Sequence, residues 1–295
     1  MSETFDCRSI AEKFKGWAQG ELTRLPQIPT LATVLFKPRA QEASIQYRDL
    51  VLKDAARLGF NAKKFEPASE SELWSLIGKL NLNSSISGIL IFYPIHGSMP
   101  DEDLMDLVSP LKDVEGLHSL NLGYLIKYKK FLDAGQMTKC VVPATAKAVV
   151  KTLQEHGVPI AGSFVSIVNN SMRVGKPLGL MLENLGATVV KCHDKTQKTD
   201  LEECVRRADI LVTAVPNPDF SIDPRWIKKG CSVVDVSYQG NIDVVNAREF
   251  SKIITSPDNR IGQVTRALLF VNLIYCAKAL NNSASATPIL KTLAP

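Results

Sequence analysis

The sequence predicts an α/β protein of two domains, the second built on a doubly wound parallel sheet. Three observations carry this. Short apolar runs of strand length, such as SGILIFYP (87–94), SFVSIVNN (163–170) and ILVTAV (210–215), alternate with helical stretches instead of following one another directly. The alternation restarts after a polar stretch, placing a division near residue 144. A chain of 295 residues with 45% hydrophobic and 22% charged residues has the size of about two ordinary globular domains.

Taken in order, TLATVLFK (30–37) reads as a buried strand, followed by a helical pattern over 41–58 that Gly59 closes in a C′ position. A second helix begins at SESELW, where Ser69 or Ser71 can cap it and acidic residues fill the first turn. The strand at 87–94 is stopped by Pro94. In the second half, the strand at 163–170 leads to a helix at 177–186 and a strand at 187–194. A helix at 201–209 and strands at 210–215, 231–237 and 252–255 follow. Residues 265–282, TRALLFVNLIYCAKALNN, form a last helix, apolar nearly all round and therefore expected to be buried. The tail SASATPILKTLAP is expected to be loosely ordered.

Bulk properties narrow the class of function. A net charge of +5 with dispersed Lys and Arg lacks the dense basic stripe of a nucleic-acid binder. Six cysteines lie far apart without a CxxC pair, as reduced thiols do, and His96, His118 and His193 show no metal-ligand spacing, so no metal site is expected. The N-terminus MSETFDCRSIAEKF has no apolar core of a signal peptide, and no run approaches the roughly 18 apolar residues of a membrane span. The cytoplasm is the expected compartment.

The loop after the 163–168 strand, Asn169-Asn170-Ser171-Met172-Arg173-Val174-Gly175-Lys176-Pro177, is not GxGxxG. It still has what a pyrophosphate needs: Gly175 for close backbone approach, Pro177 for the first helical turn, and a helix N-terminus presenting N–H groups. An ordinary polar turn is the alternative. The next strand ends at Asp194, 25 residues after Asn169 and near the roughly 20-residue offset at which an acid holds the ribose 2′-hydroxyl of NAD. A carboxylate there repels a 2′-phosphate, so NAD is favoured over NADP; an exposed loop aspartate, with Lys195 or Arg173 pairing with a phosphate, is the other reading.

Several segments together resemble the methylenetetrahydrofolate dehydrogenase/cyclohydrolase family: ASIQYRDLVLKDAARLGF (43–60), SGILIFYPI (87–95), PLKDVEGLHSLNLGYL (110–125), VVPATAKAV (141–149) and GVPIAGSFVSIVNNSMRVGKP (157–177), in the family's order. The resemblance implies a folate-binding catalytic domain over 1–144 with the last helix (265–295). It also implies a Rossmann-like NAD-binding domain over 145–264, a cleft between the two, and a homodimer. Around the cofactor it places Thr145, Asn169, Asn170, Ser171, Arg173, Val174, Gly175 and Asp194; around the substrate it places Tyr47, Phe92, Pro94, Asp113, Glu115, Gly262 and Thr265.

The departures from the pattern are as informative. Where the family has Tyr-x-x-x-Lys, with the lysine as base, this chain has Tyr47 and Val51. Lys53 does not substitute, because two residues turn a helix by about 200°. Phe92 stands where the family has a glutamine, Glu115 replaces the second aspartate of KDVDG, and PGGVGPMT has become PDNRIGQVT (257–265). Moving a hydride from the N–CH2–N carbon of 5,10-methylenetetrahydrofolate needs no base, since the nitrogen lone pair expels it. Hydrolysis of the methenyl product does need one, worth about 10²–10⁴-fold. The pattern resembles the monofunctional NAD-dependent dehydrogenases. The resemblance implies that Tyr47, Val51 and Glu115 take the catalytic positions, with Tyr47 bordering the pterin and Glu115 accepting two N–H bonds from its amino edge. Asp113 and Glu115 both read alternatively as loop acids capping a turn, Tyr47 as a half-buried structural tyrosine, Thr145 as a hinge residue, and Gly262 and Thr265 as parts of a helix cap. A bifunctional NAD(P)-dependent enzyme and a non-catalytic folate- or nucleotide-binding protein are the competing readings.

Overall fold

The computed structural model describes residues 2–282, so the expected loose tail from residue 283 lies outside the described residues. In chain order the elements of the first half are β1 (Glu3–Thr4), α1 (Cys7–Leu22), β2 (Thr30–Val34), α2 (Glu42–Leu58), β3 (Asn61–Phe65), α3 (Glu70–Leu82), β4 (Gly88–Ile91), α4 (Asp101–Leu107) and α5 (Ser119–Ile126). The second half contributes α6 (Ala144–Glu155), β5 (Phe164–Val168), α7 (Gly175–Glu183), β6 (Thr188–Cys192), α8 (Lys198–Arg207), β7 (Ile210–Thr213), β8 (Cys231–Asp235), α9 (Val244–Ala247), β9 (Ser251–Ile254) and α10 (Ile261–Asn282). These divide into two compact units: Met1–Lys13 with Thr145–Thr265, and Phe14–Ala144 with the chain from Arg266 onward. Residues 1–13, expected with the first domain, fall instead with the second, because β1 pairs in parallel with β9.

The unit containing Phe14–Ala144 is built on a three-stranded parallel sheet in the order β3-β2-β4. β2 and β4 are buried at every position, as strands covered on both faces must be. The edge strand β3, NAKKF, has no apolar alternation and was not expected from the sequence; its pairing to β2 over Asn61–Phe65 recruits it. Helix α2 closes at Gly59 in the left-handed conformation, and Ser69 caps α3 by accepting from the Glu72 N–H. α10 begins four residues earlier than the sequence pattern suggested and is buried along nearly its whole length from Val264 to Ala279. Within this unit it is tied down by polar contacts, among them Arg266 to Asp54 at 2.8 Å and Lys278 to Glu21.

The other unit carries a six-stranded, wholly parallel sheet in the order β1-β9-β8-β7-β5-β6. The chain runs from β5 outward to β6, then returns to the far side of β5 to lay down β7 and β8. The direction of winding therefore reverses between β5 and β7, which makes a crevice beyond their carboxyl ends.

Candidate active site

In the unit of the three-stranded sheet, the apolar period of α2 turns Val51, Asp54, Ala55 and Leu58 inward. Tyr47, half-buried one turn before Val51, meets Phe92 edge to face, with ring centroids 6.2 Å apart. Val51 has no solvent exposure and belongs, with Phe92, Val114 and Val141, to one apolar cluster against which Tyr47 packs. Lys53 is exposed, on the other side of the helix. No ammonium group therefore follows Tyr47 on its inward face. Asp54 instead gathers cations one turn further along: Arg266 at 2.8 Å and Lys15 at 3.4 Å, all largely buried.

The KDVEG segment is organised by Asp113. Its buried carboxylate accepts from the N–H groups of Gly116 (2.9 Å), His118 (2.8 Å) and Glu115 (3.1 Å) and from Asn121 Nδ2 (3.2 Å). Burial pushes its pKa upward while these donors pull it back. Both of its oxygens are engaged by the loop, as the capping alternative has it, and Asp113 also lines the hollow beside Glu115. Gly116 has φ 72°, and a Cβ there would stand 2.5 Å from the Val142 carbonyl carbon and 2.8 Å from the Pro143 nitrogen. The VVPAT segment thus lies hard against KDVEG. Asn272 of α10 stitches the two together by donating to the carbonyls of Val114 (2.8 Å) and Val142 (3.3 Å). Half-buried Glu115 lines a small hollow with Ile91, Tyr93, Met105 and Leu117, and Pro94 follows Tyr93 through a cis peptide bond.

In the unit of the six-stranded sheet, a cavity of about 610 Å³ opens at the carboxyl ends of β5, β6 and β7. Its wall is made by Asn169–Ser171 after β5, Cys192–Asp194 and Thr196 after β6, and Val215–Asn217 after β7, closed by Leu201 and Phe220. Asn169, Asn170, Ser171 and Asp194 are therefore brought together as expected, whereas Arg173, Val174, Gly175 and Thr145 are not part of this wall. Gly175 acts from behind it. A Cβ on Gly175 would meet the Asn169 carbonyl oxygen at 2.0 Å, so the close approach it permits is to the loop's own backbone.

The start of α7 corrects one expectation. Three of its amides are already engaged: Gly175 N–H donates to Asn169 Oδ1 (2.9 Å), Val174 N–H to Ser171 Oγ (3.2 Å) and Lys176 N–H to the Ser171 carbonyl (3.0 Å). These groups hold the loop together and are not directed at an anion. Asp194 is 78% exposed at the end of β6, with Lys195 Nζ at 3.1 Å; that ammonium holds its carboxyl below the usual range.

Asn241, outside every motif of the sequence, is buried behind the β7 part of the wall. Its Oδ1 accepts from the Thr213 hydroxyl and the Val215 N–H (2.8 Å), and its Nδ2 donates to the Val215 carbonyl (3.0 Å). Its own N–H is held by Asp235, whose pKa burial pushes up against the Ser237 and Asn241 donors. No local signal singles out this asparagine among polar loop residues. Gly262 and Thr265 lie in the first turns of α10, where the Thr265 hydroxyl donates back to the Ile261 carbonyl at 3.3 Å. The rewritten 257–260 segment is a turn latched by Arg260, which donates to the carbonyls of Pro257 (2.7 Å) and Tyr238 and stacks over the Tyr238 ring.

A parallel sheet with a cavity at its winding reversal and an acid at the end of the neighbouring strand defines a dinucleotide-binding unit of the dehydrogenase class. The chain belongs to the tetrahydrofolate dehydrogenase/cyclohydrolase family: residues 5–115 match that family's catalytic domain and residues 143–281 its NAD(P)-binding domain. The bifunctional protein FolD of Leptospira biflexa is 32% identical over 281 residues, 92% of each chain. The structure of the bifunctional FolD methylenetetrahydrofolate dehydrogenase/cyclohydrolase of Campylobacter jejuni matches with a TM-score of 0.84 at 27% identity, over 94% of this chain and 99% of that one. The NAD-dependent 5,10-methylenetetrahydrofolate dehydrogenase of Saccharomyces cerevisiae shares the fold, with a TM-score of 0.87 at 22% identity over 96% and 99% of the two chains. No helix among the described residues is long and apolar enough to cross a membrane.

Proposed function

We propose that this chain oxidises 5,10-methylenetetrahydrofolate to 5,10-methenyltetrahydrofolate with NAD as acceptor, and hydrolyses the methenyl product little or not at all. The observation that carries the reading is Val51: fully buried one turn after Tyr47, in the place of the family's lysine. Water activation and proton relay need an ionisable group on that face, and Phe92 removes the second polar group from the same apolar cluster. A bifunctional reading would require a base from elsewhere, and Lys53 lies on the exposed side of α2.

Dehydrogenation asks less of the protein. The bound dinucleotide supplies the hydride acceptor. Tyr47 borders the pterin with its ring braced by Phe92, and Glu115 receives the pterin amino edge in a pair of parallel hydrogen bonds. The residues thereby orient the N–CH2–N carbon, and orientation accounts for most of the rate that such a step requires. The cavity at the β5–β7 reversal fits a dinucleotide in position and size, with Asn170, Ser171 and Asp194 on its wall. Asp194, exposed on this wall, selects NAD by accepting from ribose hydroxyls and repelling a 2′-phosphate. By the same resemblance the protein acts in the cytoplasm as a homodimer.

Initial rates with NAD and NADP side by side, followed by a methenyl-hydrolysis assay, test the reading. NAD-dependent turnover without hydrolysis is expected, and Asp194→Ser should raise kcat/KM for NADP about tenfold relative to NAD. Robust hydrolysis by the pure protein would return it to the bifunctional group.

A further inference from the structure

Two of the six cysteines meet beside the cofactor cavity. Cys192 is the last residue of β6 and lies on the cavity wall; Cys204 lies in α8, one turn after Leu201, which closes the same wall. Both take their places from β5. Cys192 pairs with Val168, and the Cys204 carbonyl accepts from Ser166 Oγ at 2.6 Å. Ser166 and Val168 stand two residues apart on one face of the strand, so β5 brings both cysteines into the same layer between sheet and helix. There they share an apolar cluster, and the Cys192 thiol donates a hydrogen bond to Cys204 Sγ.

The two sulfurs have different qualities. Five of the six thiols are buried, and Cys204 alone is half-buried. Burial pushes Cys7, Cys140, Cys192 and Cys231 up to about 12, and a thiol of that kind keeps its proton and starts no redox reaction. Cys192 differs from the others in having a second sulfur in contact, one that a solvent-borne oxidant reaches first. A reachable thiol with a protected one beside it is the arrangement in which oxidation stops at a disulfide.

We propose that Cys204 and Cys192 form a reversible disulfide on exposure to a hydroperoxide, and that the bond weakens dinucleotide binding in the adjoining cavity. The first half stands on the two thiols alone; the second rests on the dinucleotide-binding reading. The Cys204 sulfur gives up its proton and attacks the peroxide. An S–O bond forms, the O–O bond breaks and water leaves, so the sulfur is oxidised to a sulfenic acid and the peroxide reduced. The Cys192 sulfur then attacks that of Cys204. The S–S bond forms, the S–O bond breaks, and the departing hydroxide takes the Cys192 proton as a second water. A dithiol returns both cysteines to thiols by exchange. A disulfide holds its sulfurs about 2.0 Å apart, closer than any hydrogen-bonded pair, so α8 is drawn toward the end of β6. Leu201 and the Cys192–Asp194 edge then close on the cavity from two sides. Displacements of about 1 Å in a positioned site cost up to about 100-fold, and a loss of NAD affinity of about tenfold is expected.

The test treats the full chain with hydrogen peroxide, blocks the remaining thiols and maps linkages by peptide mass spectrometry without reduction. NAD binding is titrated before oxidation, after it and after dithiothreitol. The wild type should yield the Cys192–Cys204 linkage, lose NAD affinity about tenfold and regain it on reduction. Cys192→Ser should stop at a sulfenic acid on Cys204, captured by dimedone. Cys204→Ser should bind NAD as the reduced wild type does and be indifferent to peroxide. A wild type in which Cys204 passes to the sulfinic acid while Cys192 stays free overturns the proposal, as does a linkage between two chains in place of the internal bond. A disulfide that forms and leaves NAD affinity unchanged overturns its control of the cavity. If the reduced protein binds neither NAD nor NADP yet the linkage forms, the dinucleotide reading and the control of the cavity fail together and the modification site stands.

Discussion

Replacing Gly175 with alanine tests how the cofactor wall is built. The new Cβ would lie 2.0 Å from the Asn169 carbonyl oxygen, 2.4 Å from its carbon and 2.8 Å from Oδ1. A carbon contact is comfortable only near about 3.5 Å, so the loop must open by more than about 1 Å. That movement breaks into the bonds Asn169 Oδ1 makes with Gly175 N–H, Ser171 N–H and Ser171 Oγ. Losing one or two of these at about 1 kcal/mol each, with about 1–3 kcal/mol for overpacking, predicts a loss of about 2–5 kcal/mol. At about 2–4 °C per kcal/mol the melting temperature should fall by about 4–20 °C. Asn169 and Ser171 form the cavity wall, and a displacement of about 1 Å can cost about 100-fold in a positioned site. KM for the dinucleotide should therefore rise at least about tenfold, while affinity for the folate, bound by the other unit, should stay within about twofold. Gly179→Ala on the same helix is the control, because its Cβ meets only the end of the flexible Lys191 side chain, at 3.0 Å. The variants are compared by thermal melts and initial rates. A Gly175→Ala protein with wild-type melting and an unchanged KM would refute the reasoning.

Asn241→Ala removes three hydrogen bonds behind Val215, so KM for the dinucleotide should rise about tenfold with a smaller change in KM for the folate; an equal rise in both would make Asn241 merely structural. Glu115→Gln exchanges a two-oxygen acceptor for a mixed donor and acceptor, so KM for the folate should increase about 10- to 100-fold, whereas Asp113→Asn should lower the melting temperature instead, by leaving donors of the loop unpaired. Asp6 caps the start of α1 and is drawn down to about 2 chiefly by its hydrogen bonds with Ser9, from a usual value of 3.8. With the folded value the lower one, its stabilising effect is complete above pH 3.8 and lost as pH falls toward about 2, so the melting difference between wild type and Asp6→Asn should shrink over that window and stay constant above it.

What the sequence disclosed depended on whether the cause was local. The Gly59 stop, the Ser69 cap and the buried parallel strands follow from period and capping chemistry, and they appear where expected. β3 could not be read, because NAKKF owes its extended form to its pairing with β2, Thr30 opposite Asn61. The α7 start was half legible. Gly175 was recognised as a point of close approach, but the approach is to Asn169, and the amides expected to face a phosphate are consumed by Asn169 and Ser171. Asparagines carry much of what was missed: Asn121, Asn241 and Asn272 each hold the backbone of a segment remote in sequence.

The two departures in the folate-type unit are best understood together. Were Val51 alone changed from a lysine, a glutamine at position 92 would keep a buried amide without its partner, at a cost of about 1–3 kcal/mol. Were Phe92 alone changed, a lysine at position 51 would stand as an isolated charge in a cluster that includes Leu31, Ala144 and Phe270. Both changes are present, and the cluster is apolar throughout. Val51→Lys and Phe92→Gln should therefore each destabilise the protein by about 2 kcal/mol or more, and the double variant by less than their sum. A coupling of about 0.5–3 kcal/mol in the double-mutant cycle is the expected result. The double variant should also gain methenyl hydrolysis that neither single change supplies, since a base and its partner return together. Strict additivity in stability, with no hydrolysis gained, would mean that the two positions never formed a functional pair in this chain's lineage of contacts. The proposed lack of methenyl hydrolysis would then have to rest on another feature, beginning with the Arg260-latched turn at 257–260.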